Sequence, residues 1–203
     1  MLLRNSGTLG DTYIIICHLI GISQKFSVEH YTRHAYWQNE IRDIYSLLPN
    51  IADVTFPEDS PERTWYSPYS VIDKKIDEFE PFPNFTFPPS GLDPGEPYIA
   101  LCPRSGRPDQ GDRRIPTSEM ERIVAEADMP IVTPEPGKTT LLEAMGLVAR
   151  SNRFYGFQGL MSYVALSHKS QSVVYVGNER EYVAFRYRTA RPWIEFLDEV
   201  RKK

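Results

Sequence analysis

The sequence predicts a mixed α/β protein made of two small domains, each organised around a parallel sheet. Strand-like and helix-like segments alternate along both halves of the chain. A proline- and aromatic-rich stretch separates the halves, and several strand-to-helix junctions carry Gly, Ser or Arg. The expected divisions are an N-terminal domain over 1–60, a linker over 61–96, a C-terminal domain over 97–190 and a terminal helix over 191–203.

In the first half, a short apolar start (Met1 to Arg4) leads into the turn Asn5-Ser6-Gly7-Thr8-Leu9-Gly10-Asp11. An apolar helix is expected from Thr12 to about Gln24. The alternating run from Phe26 to Tyr31 predicts a strand. Ile41, Ile44, Tyr45 and Leu48 recur at helical spacing within Tyr36 to Leu48, and Ile51 to Phe56 predicts a further strand. That order implies a parallel sheet with right-handed crossovers.

From Pro57 to Pro97 the chain concentrates prolines, which lack a backbone donor and fix their own φ, so an extended, irregular segment is expected. Its aromatics, Trp65, Tyr66, Tyr69, Phe79, Phe82, Phe85 and Phe87, are too many for a free tether and are expected to pack on a domain. Strands follow at Tyr98 to Cys102, Ile131 to Thr133, Arg153 to Phe157 and Ser172 to Val176. Helices are expected at Thr117 to Ala127, opened by a capping box from Thr117 or Ser118, at Thr139 to Ala149, at Gln158 to Ser167 and at Pro192 to Lys203. Successive β-α units of this kind make a doubly wound sheet.

A net charge of −4 argues against a dedicated nucleic-acid binder. The local cluster Arg104, Arg107, Arg113 and Arg114 keeps binding of a small anion open. The two cysteines, Cys17 and Cys102, lie in apolar runs and are expected to be buried, reduced thiols. No apolar stretch reaches the ~18–20 residues needed to span a bilayer. The N-terminus lacks the apolar region of a signal peptide, so a cytoplasmic location is expected.

Four segments carry candidate chemistry. In Ser6 to Asp11, Gly7 and Gly10 allow a tight turn, and Asp11 falls at a helix N-terminus, either as a plain cap or as a carboxylate at the ligand edge of the sheet. The Pro103 to Pro116 loop, with Ser105, Gly106, Arg113 and Arg114, suits a phosphate or a solvated basic loop equally. Gln158-Gly159-Leu160-Met161-Ser162 opens a helix directly after a strand, so its N–H groups are placed for an anion or a sugar hydroxyl. Pro136-Gly137-Lys138-Thr139-Thr140 matches only the end of a P-loop, because the first glycine falls at Val132, and an ordinary helix start is expected there. His30 and His34 stand four apart but straddle a strand end, so no metal is expected.

Together these segments resemble the ADP-heptose–lipopolysaccharide heptosyltransferases, over Ser6–Leu19 and Tyr98–Gly177. The Ser-Gly-Thr-Leu-Gly-Asp-Thr run is similar to that family's Gly-Asp motif, in which the aspartate is the base; Asp11 takes that place. The loop from Cys102 to Pro116 resembles the family's donor-phosphate loop, with Arg113 matching its basic residue best and Arg114 next. Gln158 to Tyr163 is similar to its Asp-x-Gly-Leu-Ser-His helix start. The chain departs from the family in being shorter, in carrying Phe157 for the sugar-binding aspartate, and in carrying Ile115 for the loop aromatic.

The resemblance implies two Rossmann-like domains facing a cleft, a minimal GT-B fold. It also implies inverting transfer of a hexosyl or heptosyl group from a nucleotide-sugar to a glycan or other hydroxyl acceptor, with no metal or cofactor. Asp11 would be catalytic, supported by Gly7 and Gly10. Ser105, Gly106, Arg113, Arg114, Gln158, Gly159, Leu160, Met161 and Ser162 would bind the donor. An inactive GT-B-like binding or assembly module, or another nucleotide or phosphosugar enzyme on similar domains, are the alternatives.

Overall fold

A computed structural model of the chain describes residues 2–20, 23–32, 35–58, 84–106, 113–135, 137–188 and 196–202. The chain divides into two compact units, Met1–Phe85 and Thr86–Lys203. The division falls inside the proline-rich segment. Of the aromatics expected to pack there, Trp65, Tyr66, Tyr69, Phe79 and Phe82 lie outside the described residues.

In the first unit, strands β1 (Leu2–Ser6), β2 (Phe26–Tyr31) and β3 (Ile51–Thr55) form a parallel sheet in the order β1-β2-β3. Helix α1 (Leu9–Leu19) joins β1 to β2, and α2 (Gln38–Tyr45), entered through a short 3₁₀ turn at Ala35–Trp37, joins β2 to β3. Alternation decides which sheet face is covered: Phe26, Val28 and His30 are buried while Ser27 is exposed and Glu29 half-exposed. Asn5 and His30 meet α2 through Tyr45, and the apolar run Tyr13 to Cys17 of α1 is buried as a block. Phe85 packs edge-on against Tyr13, their ring centroids 5.9 Å apart.

The second unit is a five-stranded, all-parallel sheet of β4 (Ile99–Cys102), β5 (Ile131–Val132), β6 (Arg153–Phe157), β7 (Gln171–Val176) and β8 (Leu197–Lys202). The spatial order is β5-β4-β6-β7-β8. Helices α3 (Thr117–Ala125), α4 (Leu141–Arg150), α5 (Leu160–Ser167) and α6 (Glu179–Arg188) connect them in turn. Every residue of β4 and all but the first of β7 are buried, as expected of parallel strands covered on both faces. Leu101, Phe157, Val173 and Tyr175 form one face of the sheet and pack with Ile115 and with Ile123 of α3. Phe87 packs on this unit, its ring against His168 and its β-carbon close to Gly146 of α4.

Both units are thus Rossmann-like α/β structures built on parallel strands. Two expectations need correction, and one helix was not expected. The C-terminal segment, expected as a helix, is strand β8, with residues 189–195 outside the described chain. Leu197 and Val200 stand three apart like one turn of a helix, but a bulge at Asp198 lets Leu197 pair with Ser172 and Val200 with Val174, placing both on one face. The expected capping box of α3 does not form; its N-cap is Pro116, with no side-chain bond. Glu119 turns instead to the sheet, where it accepts from the Tyr175 hydroxyl at 3.0 Å and from Arg201 at 2.6 Å. Helix α6 was not expected at all. Its start is marked by Asn178, whose side chain accepts the Glu181 N–H at 3.0 Å.

Candidate functional site

In a doubly wound sheet, ligands bind beyond the carboxyl ends of the strands where the connections change direction. In the second unit that point lies between β4 and β6, since β4 leads outward to β5 and the chain then returns to β6 on the other side. The segments that leave these two ends are Pro103 to Gly106 and Gln158 to Leu160, the two predicted as donor-binding.

The structure brings them together. Beyond Cys102 two limbs of the chain, 103–106 and 113–115, pair antiparallel as an arm: Ser105 N–H donates to Arg113 O at 2.9 Å, Ile115 N–H to Pro103 O at 2.8 Å, and Arg104 pairs with Arg114 in a β-bridge. Residues 107–112, Arg107 among them, lie outside the described chain. The arm sets Ser105 beside Gly159, where an added β-carbon would stand 3.1 Å from the Ser105 hydroxyl. Any larger residue at 159 would fill the space between the two loops.

The arm also delivers Arg113. Its guanidinium donates to the Gln158 side-chain oxygen at 3.4 Å, to Gln158 O at 3.5 Å and to Glu181 at 3.4 Å, and lies 5.4 Å from the Phe157 ring centroid. Gln158 is buried and donates its N–H to Tyr175 O at 2.8 Å, which fixes it to β7. Arg114 and Gly106 are exposed.

Helix α5 begins at Leu160 with Gly159 as its N-cap. Ser162, expected to face the ligand, is fully buried; its hydroxyl accepts the Gly159 N–H at 3.2 Å and donates to Gly159 O at 2.7 Å. It caps the helix from within. Hydrogen bonding to Gly159 O starts at Ser162 N–H. The half-exposed Leu160 and Met161 therefore carry the first-turn donors that have no intrahelical acceptor.

In the first unit, Gly7 follows β1 with φ of +143°, a region that glycine tolerates and other residues rarely adopt. Its missing side chain is also required, because an added β-carbon would stand 2.7 Å from that of Asp11. Asp11 Oδ2 accepts the Thr8 N–H at 2.9 Å and the Thr8 hydroxyl at 3.0 Å, so the carboxylate does cap α1. Gly10 is buried within that first turn.

Beneath the turn runs a buried polar chain that sequence reasoning missed. Asn5 Nδ2 donates to the Tyr45 hydroxyl at 2.8 Å, which lies 3.1 Å from His30 Nδ1, while His30 Nε2 lies 3.4 Å from Gly7 O. These distances are consistent with Tyr45 donating to Nδ1 and Nε2–H donating to the carbonyl. Burial pushes His30 down to about 4, against the raising effects of the Gly7 carbonyl and of Asp11. Gly7→Ala is expected to destabilise the first unit by about 2 kcal/mol, read as a shift of the denaturant midpoint.

The remaining candidates find bland roles. Cys17 and Cys102 are buried free thiols, both held protonated by desolvation, Cys102 pushed up to about 12. Lys138 pairs with Glu135 at 2.7 Å, and Thr140 and Glu143 form the capping box of α4, so the partial P-loop match is a helix start. His34 and Pro136 lie outside the described residues. Among the described residues, no group of three or more His, Cys, Asp or Glu side chains is placed to hold a metal, and no helix is long and apolar enough to cross a membrane. The sequence matches no protein-family model and no curated protein.

Proposed function

We propose that the chain is an inverting, metal-independent glycosyltransferase of GT-B-like construction that takes a nucleotide-sugar donor and an acceptor hydroxyl. The observation that supports the donor half is the meeting of Ser105, Arg113 and the Gly159 to Met161 backbone at the carboxyl ends of β4 and β6. A diphosphate placed there would gain the Arg113 charge, the Ser105 hydroxyl and the first-turn N–H groups of α5.

In the proposed reaction, Asp11 takes the proton of the acceptor hydroxyl as its oxygen bonds to the anomeric carbon. The bond from that carbon to the phosphate oxygen breaks, and the electron pair leaves on the nucleoside diphosphate. Arg113 and the α5 donors stabilise that developing charge.

One observation favours a second reading, an inactive binding or assembly module: Asp11 Oδ2 already accepts two bonds from Thr8. Such a module would bind a nucleotide without turning over its sugar. Both readings share the donor site, and Arg113→Ala tests it. Loss of a charge-assisted contact is expected to weaken nucleoside-diphosphate binding about tenfold to a hundredfold, read by calorimetric titration. Equal affinity in the variant would remove the donor site from both readings.

A further inference from the structure

We infer that Glu181 is a built-in anionic competitor for Arg113, holding the guanidinium when the site is empty and giving it up to a ligand phosphate. The inference rests on the phosphate-binding reading of the β4/β6 edge. It adds a residue, outside the predicted motifs, that sets how strongly an anion must bind to enter.

The geometry places Glu181 for this role. Its carboxylate reaches back from the first turn of α6 to the end of β7, where Oε2 accepts the Gly177 N–H at 3.0 Å and Arg113 at 3.4 Å. An added β-carbon at Gly177 would stand 2.9 Å from that oxygen, so glycine is what lets the carboxylate sit there. Only 14% of the Arg113 side chain and 28% of that of Glu181 are exposed, so the pair is shielded from much of the screening that weakens surface ion pairs.

Arg201 holds Glu119 at 2.6 Å in the same unit, while Arg113 and Glu181 stand 3.4 Å apart. Glu181 also keeps its Gly177 bond as a resting place when Arg113 moves. A bound phosphate would replace the carboxylate on Arg113 with a more highly charged partner, and any carboxylate left nearby would repel it. On either count, removing the charge of Glu181 strengthens anion binding.

The test uses the full chain and inorganic pyrophosphate, titrated calorimetrically into the wild type, Glu181→Gln and Arg113→Ala. Glutamine retains the oxygen that accepts from Gly177. Expected are measurable binding to the wild type, affinity about tenfold tighter in Glu181→Gln, and loss in Arg113→Ala. Should the glutamine variant not fold, Glu181→Asp withdraws the carboxylate by one methylene and is expected to tighten binding in the same direction. Binding to the wild type that is lost in Arg113→Ala but unchanged or weaker in the Glu181 variants overturns the competitor role and leaves the site standing. Pyrophosphate binding to neither the wild type nor Glu181→Gln overturns the site itself, and the inference with it.

Discussion

An Asp11→Asn variant is expected to lose sugar transfer by about 10²–10⁴-fold while binding the donor as the wild type does. The substitution removes the negative charge and the basic lone pair without changing the shape of the side chain. Its amide oxygen still accepts the Thr8 N–H that now goes to Oδ2, so α1 keeps its start. Donor affinity is expected to stay unchanged because the proposed donor groups, Ser105, Arg113 and Gly159, all belong to the second unit. Turnover is measured as nucleoside diphosphate released from a nucleotide-sugar that the wild type hydrolyses or transfers. An unchanged rate in the variant would remove Asp11 as the base; a wild type that binds the donor and releases nothing would favour the inactive module.

The second large effect is on stability. His18 and His30 in the first unit are both pushed down to about 4 by burial, from 6.5. A folded value below the unfolded one means that the unfolded chain takes up protons first as the pH drops. Stability is therefore complete above the unfolded value and is lost as the pH falls from about 6.5 towards 4. Each histidine accounts for about 3 kcal/mol across that window. Two together approach the whole stability of a small domain, about 5–15 kcal/mol. Denaturant unfolding at pH 7 and pH 4.5 measures it: a steep fall is expected, flattened in the His18→Gln/His30→Gln double variant. His168 in the second unit, also lowered to about 4, is expected to contribute a shallower dependence there. Equal stability of the first unit at the two pH values would show that neither histidine is held neutral.

Much of the fold was legible because its signals are local. Alternation between Phe26 and Tyr31, helical spacing around Ile41 and Ile44, and the apolar runs before the Arg-rich loop and before Gln158 all gave elements close to those observed. Strand β8 was misread because Pro192 and the basic Arg201, Lys202 and Lys203 are the residues that open and close a helix, whereas the pairing with β7 that makes the segment a strand is not local. Helix α6 was missed although Asn178 and Glu181 carry a capping pattern, because no apolar stripe follows it that marks a buried face.

The site divides in the same way. Gly7, Asp11, Ser105, Arg113 and Gly159 stand at strand-to-helix junctions, where glycine, acid and base are informative by themselves. The same Ser162 hydroxyl suits a ligand or a cap, and its burial and its bonds to Gly159, which show it capping the helix, are not legible in the sequence. The contacts of Glu181 and His30 were not legible, since they are made with partners far away in sequence. Arg113 is 68 residues from Glu181, and His30 is 25 from Asn5 and 15 from Tyr45.

The central claim is that the carboxyl ends of β4 and β6 hold the phosphates of a nucleotide ligand. Amide NMR of the full chain during titration with a nucleoside diphosphate tests it most directly. Saturable shifts centred on Ser105, Gly159, Leu160 and Met161, and abolished by Arg113→Ala, are the predicted result. Shifts centred elsewhere, or none with either adenosine or uridine diphosphate, would contradict it.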